Sequence, residues 1–251
     1  MSFNLRYASE SDPHPWSQRR PVMRRLLREE RPHLLGTQEG LHGQLRDIAE
    51  DLGHAWIGLG RLGGSHDEFA AVFYDAERLV PLEYDHFWLS DTPALIGSAT
   101  WGNTVVRMAT WVHFADLRTG TEFLALNTHL DHAHQYSRER SAELITRRLR
   151  EPDPALPRLV TGDFNVAAHR NPVYDAMLAG GALADSWDTA DERGPQYATF
   201  HGYKPLVPDG DRIDWILTSP AVRTLGAAIN TFSDDGRFPS DHLPVQALVE
   251  L

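Results

Sequence analysis

The first sixty residues alternate between helical and strand-like patterns of hydrophobic positions. A helix is predicted to begin near Ser17, with apolar positions facing the core. Residues 33–40 follow as a short buried strand. Apolar residues then recur at helical spacing over 41–52, with Gly53 ending the helix. A further strand over 55–60 completes an α/β succession.

The middle of the chain changes to consecutive strand-like runs. A turn is expected at Thr119 and Gly120, between the last two runs. Consecutive strands with short connections predict an antiparallel meander inside a mixed sheet. The runs cover residues 69–75, 79–90, 105–116 and 121–130.

The last third of the chain returns to a mixed pattern. An arginine-rich amphipathic helix is predicted over 137–150, followed by a strand over 157–165 and a short helix over 172–179. No linker composition divides the 251 residues, so one α/β (α+β) domain covering residues 1–251 is predicted. The remaining strand-like runs are 198–203, 212–219, 227–232 and 243–251.

Composition limits the chemistry more than it limits the fold. The formal net charge is −11, and Lys204 is the only lysine, which argues against a generic duplex-binding surface. The absence of cysteine excludes disulfides, thiolate metal sites and thiol nucleophiles.

No transmembrane run and no signal peptide are found in the sequence, which favours the cytoplasm slightly and leaves the compartment open. The strand over residues 1–7 begins almost at its functional end, so further residues are expected to precede Met1.

Unusual polar residues lie in or directly after the apolar strand-like runs. Carboxylates at such positions are costly to bury unless they are paired or bound to a cation. Strand ends of an α/β sheet are also where sites are normally assembled. One such residue alone would indicate a cap or a turn, whereas the whole set indicates a site. The set comprises Asn4, Glu39, Asn127, His129, Asp163, Asn165, Asp214, Asp241 and His242.

The segment "LVTGDFN" carries the strongest single signal in this set. Gly162 is expected to let the chain turn after a buried strand. Asp163 and Asn165 are two residues apart, so on an extended segment both side chains project to the same side. They could then hold one water and one phosphoryl oxygen together. The alternative interpretation is an Asx-type turn after the strand.

Six motifs in a fixed order resemble those of the endonuclease/exonuclease/phosphatase superfamily. They are "FNLRY", "TQE", "NTHLDH", "GDFN", "RIDWIL" and "SDHLPV", spanning residues 3–245. The resemblance implies a DNase I-like, four-layer sandwich: two mixed β-sheets face to face, with helices outside. The patterns "W..RRP", "FWLS.TP" and "WG....R.ATW" are most similar to a branch of bacterial metal-dependent hydrolases.

The resemblance also implies a divalent cation, Mg²⁺ or Mn²⁺. Glu39 is the hard oxygen ligand that such ions prefer. By resemblance, Asn4 and Asp241 complete or orient the metal shell.

The same resemblance assigns the catalytic side chains. Asp163 would orient or deprotonate the attacking water, and Asn165 would position that water against the phosphate. His242 would lie beside Asp214, whose carboxylate fixes the tautomer of the ring, and would act as a base or stabilise the phosphate. His129 resembles a second histidine that stabilises the transition state or helps the leaving group.

Two further residues are predicted to bind substrate. Arg107 is an odd cation in an otherwise apolar strand and would bind a non-bridging phosphate oxygen. Its alternative role is to pair with a buried carboxylate. Asn127 would hydrogen-bond Asp163 or the phosphate.

These residues together predict a metal-dependent phosphoesterase. A small substrate is favoured, such as a sugar, lipid-headgroup or nucleotide phosphate, because it needs only one or two local cations. The alternative activity is an endo- or exonuclease acting on DNA or RNA. A silent binding module would be expected to lack Glu39, Asp163 or His242, and all three are present. The oligomeric state stays open.

Overall fold

The strands are divided between two β-sheets in the computed structural model, which describes residues 1–251. The seven-stranded sheet has the order β10-β12-β13-β1-β2-β4-β3, and the six-stranded sheet has the order β5-β6-β7-β8-β11-β9. The first contains β1 (Ser2–Asn4), β2 (Leu34–Gly40), β3 (Ala55–Ile57), β4 (Phe69–Tyr74), β10 (Glu192–Arg193), β12 (Arg223–Ile229) and β13 (Val245–Glu250). The second contains β5 (Leu79–Trp88), β6 (Met108–Asp116), β7 (Glu122–His129), β8 (Arg158–Asp163), β9 (Ala184–Asp185) and β11 (Asp214–Thr218).

Helices cover the outer faces of both sheets. Apolar side chains of α1 and α2 form one buried cluster with β1, β2 and β4. Those of α3 and α4 form another with β7, β8 and β11. A third cluster lies between the sheets. The four layers predicted from the sequence are therefore confirmed. The helices are α1 (Trp16–Glu30), α2 (His42–Leu52), α3 (Gln135–Arg148), α4 (Pro172–Leu178) and α5 (Ser186–Thr189).

No helix combines the length and apolar composition needed to cross a membrane.

The predicted meander is only partly correct. Strands β5, β6 and β7 form a consecutive antiparallel set, as expected. Strand β4 instead pairs with β2 and β3 in the other sheet. The chain therefore changes sheets between β4 and β5, a step that strand-like patterns along the sequence do not reveal.

The strand predicted over residues 198–203 is wrong. This segment is a loop with one isolated bridge, between Phe200 and His242. Thr199 explains the difference, because its hydroxyl accepts from the backbone N–H groups of Ile213 and Asp214. Tyr203 has a positive φ of 58°, which turns the chain away from an extended path.

Gly162 does not turn the chain as predicted. It lies within β8 and pairs with Thr128 on β7. A Cβ at this position would lie 2.8 Å from the backbone oxygen of Thr128. Glycine is therefore required here for close approach between neighbouring strands rather than for a turn.

A polar seam crosses the otherwise apolar space between the two sheets. Gln38 on β2 donates to Oδ1 of Asn127 on β7 over 2.7 Å. Thr161 on β8 donates to the same oxygen over 3.0 Å. Gly36 leaves the space for these groups, because a Cβ there would overlap the Thr161 hydroxyl and lie 2.7 Å from Asn127 Oδ1.

Gly36→Ala should therefore destabilise the protein by about 1–3 kcal/mol, the usual cost of an overpacked core. Gly43→Ala is the matched control, because Gly43 is exposed on α2 with no atom within 4 Å of an added Cβ. Its free energy of unfolding should be unchanged or higher. Urea unfolding of both variants measures the difference, and equal stability would contradict this account of the seam.

Candidate active site

Three predicted catalytic side chains lie side by side at one end of the six-stranded sheet. The parallel register of β7 and β8 pairs His129 with Asp163. The antiparallel register of β8 and β11 pairs Asp163 with Asp214. Asn127 and Thr161 lie two residues earlier on their strands, on the face that meets the other sheet. Because side chains two apart share a face, His129 and Asp163 also face the opposite sheet.

Asn4 joins this row to the seven-stranded sheet. Its Nδ2 donates to Asp163 Oδ2 over 2.9 Å and to Glu39 Oε1 over 3.0 Å. The backbone N–H of Arg6 donates to Asn4 Oδ1 over 2.9 Å, which sets the orientation of the amide. One buried amide thus holds a carboxylate from each sheet.

Glu39 reaches this position through a local irregularity of β2. Its φ is +62°, and the pairing of β2 with β4 shifts register between Thr37 and Gly40. A non-glycine residue in the left-handed region carries strain of about 1–3 kcal/mol. The backbone N–H of Tyr7 donates to Glu39 Oε2 over 3.2 Å. The bulge re-aims the carboxylate, as bulges next to active sites do.

Arg19 on α1 fixes the segments on either side of the site. It is 2% exposed, and its guanidinium has no carboxylate partner. It donates instead to five backbone oxygens, which ties the chain after β1 to the chain before Asp241. These oxygens belong to Leu5, Arg6, Tyr7, His14 and Pro239.

His242 and Asp214 form the predicted pair. Nδ1 of His242 lies 2.9 Å from Asp214 Oδ2, and its Nε2 lies 3.8 Å from Asp163 Oδ2. Burial by itself lowers the pKa of His242, but the two carboxylates outweigh it and raise the pKa to about 10. The ring is therefore an imidazolium at neutral pH, with Nε2–H directed to the Asp163 side.

Asp163 is almost fully buried, as is Asp214, with 1% of each residue exposed. Burial raises the pKa of Asp163 to about 7, with a further upward contribution from the charge of Asp214. His242 and the amide of Asn4 act in the opposite direction. A carboxylate with a pKa near 7 can accept a proton at neutral pH.

Arg107 contacts the other side of His129. Its Nη1 lies 2.8 Å from His129 Nδ1, and His129 Nε2 lies 3.4 Å from Asp163 Oδ2. Burial, and then the charge of Arg107, hold the pKa of His129 well below 6.5. The two histidines therefore differ in charge, with His129 neutral and His242 protonated.

The structure places Asn165 differently from the extended geometry expected for it. Strand β8 ends at Asp163, and Asn165 has a φ of +53°. Its backbone N–H donates to Asp163 Oδ1 over 2.9 Å, which is the alternative Asx-type turn. Its Nδ2 donates to the backbone oxygen of Leu130. Asn165 stays beside Asp163, but the shared-side geometry is wrong.

Asn127 lies outside the site, so the prediction that it contacts Asp163 or the phosphate is wrong. Its Nδ2 donates to the backbone oxygens of Thr37 and Ala71, and it is fully buried in the seam. The alternative role predicted for Arg107 was to pair with a buried carboxylate. It is met only in part, because Glu68 Oε2 lies 3.9 Å from Arg107 Nη1.

Asp241 lies on the side of the site that contains Glu39. The hydroxyl of Ser240 donates to its Oδ1 over 3.3 Å, and Arg6 Nε lies 3.9 Å from its Oδ2. Burial raises the pKa of Asp241; the cationic His242 opposes this shift, and the nearby charge of Glu39 adds to it. Glu39 and Asp241 are thus like charges that act on each other.

The donor chemistry here fits a hard divalent cation. No Lys, Arg or His nitrogen lies within 4.0 Å of the Glu39 carboxylate, although Asp241 and Asp163 stand near it. A carboxylate such as Glu39, which has other carboxylates nearby and no close cationic side chain of its own, favours a bound ion. Oxygen donors suit Mg²⁺, Ca²⁺ or Mn²⁺.

A second grouping of possible ligand atoms comprises Asp163, Asp214 and His242. There the hydrogen bond between His242 and Asp214 already uses one ligand atom from each side chain. The side of the site that contains Glu39 is therefore the better position for an ion.

Three charged residues near the site were missed by the sequence analysis. Arg6 lies between Asp12 and Asp241. Arg61 pairs with Glu68 over 2.9 Å, and both line a small recess with Arg107 and His129. Residues 60–68 contain three glycines and four charged or histidine side chains, and such a loop carries no periodic signal.

The two-sheet sandwich and its row of carboxylates and histidines define a phosphoester hydrolase of the class that uses a divalent metal. The chain belongs to the Endonuclease/Exonuclease/phosphatase family, whose model matches residues 1–242. Members of this family hydrolyse phosphoesters, and this chain is such an enzyme. No curated protein matches the sequence significantly.

Solved structures from bacteria are similar over almost their whole length. The mannosyl-6-phosphatase of Bacteroides thetaiotaomicron is 34% identical with a TM-score of 0.93, covering 100% of this chain and 98% of that chain. A family member from Bacteroides vulgatus is 33% identical with a TM-score of 0.94, covering 100% and 97%. TDP2 of D. rerio, complexed with single-strand DNA product, is 14% identical with a TM-score of 0.76, covering 100% and 97%, and shows the fold alone.

Replacing Asp214 should lower the pKa of His242, because Asp214 is the largest contributor that raises it. We expect an imidazolium at pH 8 in the wild type and a neutral ring in Asp214→Asn, since burial then dominates. The ¹⁵N shifts of the ring, measured in EDTA, distinguish the two forms. The signal of the exposed His66 should be the same in both proteins. A neutral His242 in the wild type would contradict the imidazolium assigned to this ring.

Proposed function

We propose that this protein hydrolyses phosphate esters of small molecules, with a sugar phosphomonoester as the favoured substrate and Mg²⁺ or Mn²⁺ as the metal. The observation that carries the proposal is that the cations around the site are already paired locally. Arg6 pairs with Asp12, Arg61 pairs with Glu68, and Arg107 lies 3.9 Å from Glu68 and donates to His129. A polynucleotide backbone would instead require a row of free cations.

The relative from Bacteroides thetaiotaomicron supports the same substrate class. It is 34% identical over the whole of this chain, and its name describes a phosphatase acting on a mannosyl 6-phosphate. The monoester is therefore favoured over the diester. Nucleic-acid cleavage is the competing activity, and the net charge of −11 gives it little support.

Asp163 would receive the proton of the attacking water. Its carboxylate is held by Asn4 and by the backbone N–H of Asn165, and its pKa of about 7 suits a general base. The water oxygen forms the new bond to phosphorus. The bond to the leaving oxygen breaks with its electron pair on that oxygen, which takes a proton from solvent. Asn165 stays next to Asp163 and would help to position the water.

His242 would bind the phosphoryl oxygens as a cation. Asp214 fixes its Nδ1–H over 2.9 Å, so the Nε2–H is free to donate to the phosphate near Asp163. Charge-assisted donors of this kind stabilise the charge that develops in the transition state.

Glu39 and Asp241 would hold the cation, with Asn4 orienting Glu39 from the side. The ion, when bound, neutralises charge on the phosphoryl oxygens and on the leaving oxygen. The bulge at Glu39 keeps its carboxylate pointed at this position without help from a cationic side chain.

The first experiment compares substrates directly. p-Nitrophenyl phosphate, bis-p-nitrophenyl phosphate, mannose 6-phosphate and supercoiled plasmid are incubated with Mg²⁺, Mn²⁺ or EDTA. We expect metal-dependent release of phosphate from the monoesters and intact plasmid. Asp163→Asn should lower turnover by about 10²–10⁴-fold, because it removes the general base. Plasmid nicking without monoester cleavage would instead support the nuclease.

Glu39→Gln should weaken metal binding, because it removes a negative charge from the proposed cation position. The metal concentration for half-maximal activity should rise, while activity at saturating metal falls less. Glu77→Gln is the control, since Glu77 is an exposed turn residue. An unchanged metal dependence would remove Glu39 from the ligand set.

A further inference from the structure

We propose that Arg107 holds His129 as a neutral hydrogen-bond donor, so that His129 stabilises the phosphoryl group without transferring a proton to the leaving oxygen. The inference rests on the proposed function in one respect, namely the placement of His129 at the phosphoester. It goes further by assigning a positioning residue and by choosing between two roles of His129.

The direction of one hydrogen bond carries the inference. A guanidinium contains only donors and stays protonated in proteins. The 2.8 Å contact between Arg107 Nη1 and His129 Nδ1 therefore requires a lone pair on Nδ1. The ring proton is then on Nε2, which lies 3.4 Å from Asp163 Oδ2 and faces the reacting groups.

Arg107 is itself held in place, so this contact is fixed by the fold. It precedes β6 directly and is 6% exposed, and its backbone oxygen accepts from Leu89 over 2.8 Å. Glu68 lies 3.9 Å from its Nη1 and also pairs with Arg61 over 2.9 Å. The Glu68 side chain thus lies behind two guanidinium groups, and Arg107 remains directed at His129.

Protonation of His129 on Nδ1 would set an N–H against the N–H of Arg107 at this short distance. Such an arrangement loses the hydrogen bond and adds repulsion between two cations. Arg61, His132 and His242 surround the ring as further positive or potentially positive groups, and Asp163 is the carboxylate in contact. A neutral imidazole N–H is a very weak acid, so His129 donates a hydrogen bond and keeps its proton.

The ring nitrogens report the tautomer directly. Histidine-labelled protein with Mg²⁺ bound should show His129 Nδ1 as an unprotonated nitrogen and Nε2 as protonated. Arg107→Lys should preserve this tautomer, because lysine also can only donate, whereas Arg107→Met should release it. Arg118→Met is the matched control at an exposed arginine, and the ring of His86 serves as an internal reference.

Kinetics separate the two roles of His129 through the leaving group. p-Nitrophenolate leaves without protonation, whereas a primary alkoxide needs a proton. His129→Ala should lower kcat/KM by about 10²–10³-fold, the usual cost of one transition-state donor, for both aryl and alkyl phosphates. His129→Gln should recover part of the loss, because an amide N–H can replace a neutral donor.

Two results would overturn the proposal. One is a wild-type His129 that is protonated on Nδ1, either as the other tautomer or as an imidazolium. The other is a loss in His129→Ala that is far larger for the alkyl ester than for the aryl ester, which would identify a general acid. If the wild type cleaves neither ester, the proposed function fails. The protonation of the two ring nitrogens, measured in the labelled protein, then decides the state of His129 by itself.

Discussion

The active site depends on one buried amide that holds together two carboxylates from different sheets. Asn4 Nδ2 donates both to Glu39 and to Asp163. Two carboxylates brought together in a low-dielectric interior repel each other strongly. The amide and the imidazolium of His242 offset this repulsion in different places, and the proposed divalent cation would offset it further. The spacing of the two sheets at this end of the sandwich therefore sets the distance between the two carboxylates of the site.

The register of the strands fixes the positions of the other side chains of the site. His129, Asp163 and Asp214 are direct neighbours across β7, β8 and β11, so the backbone hydrogen bonds of the sheet fix their spacing. A slip of one residue in β8 would turn Asp163 to the other face. The loops around residues 60–68 and 198–211 are free of this constraint. Substrate preference can therefore change in the loops while the reacting row stays in the strands.

The site residues that could be predicted from the sequence are charged residues placed within or beside apolar strands. Glu39 and Asp163 lie at the ends of apolar strands, and Asp214 lies at the start of one. A carboxylate at such a position needs a partner, so their assembly could be predicted. The position of Asn165 could not, because alternation along a strand does not show where the strand ends. Asn127 satisfies the same pattern as the site residues, yet its amide hydrogen-bonds in the seam between the sheets. Glu68 lies in a glycine-rich loop, and only the tertiary fold brings it to Arg107.

The loop after β10 carries the only lysine of the chain, which makes selective labelling of this loop practical. Lys204 is exposed, is the only lysine of the chain, and lies four residues after Phe200, which packs over the ring of His242 at 5.0 Å between ring centroids. An amine-reactive fluorophore would therefore modify a single side chain on a loop that borders the reacting groups. The chain carries a natural attachment point for an optical reporter of ligand entry, with no need for an introduced cysteine.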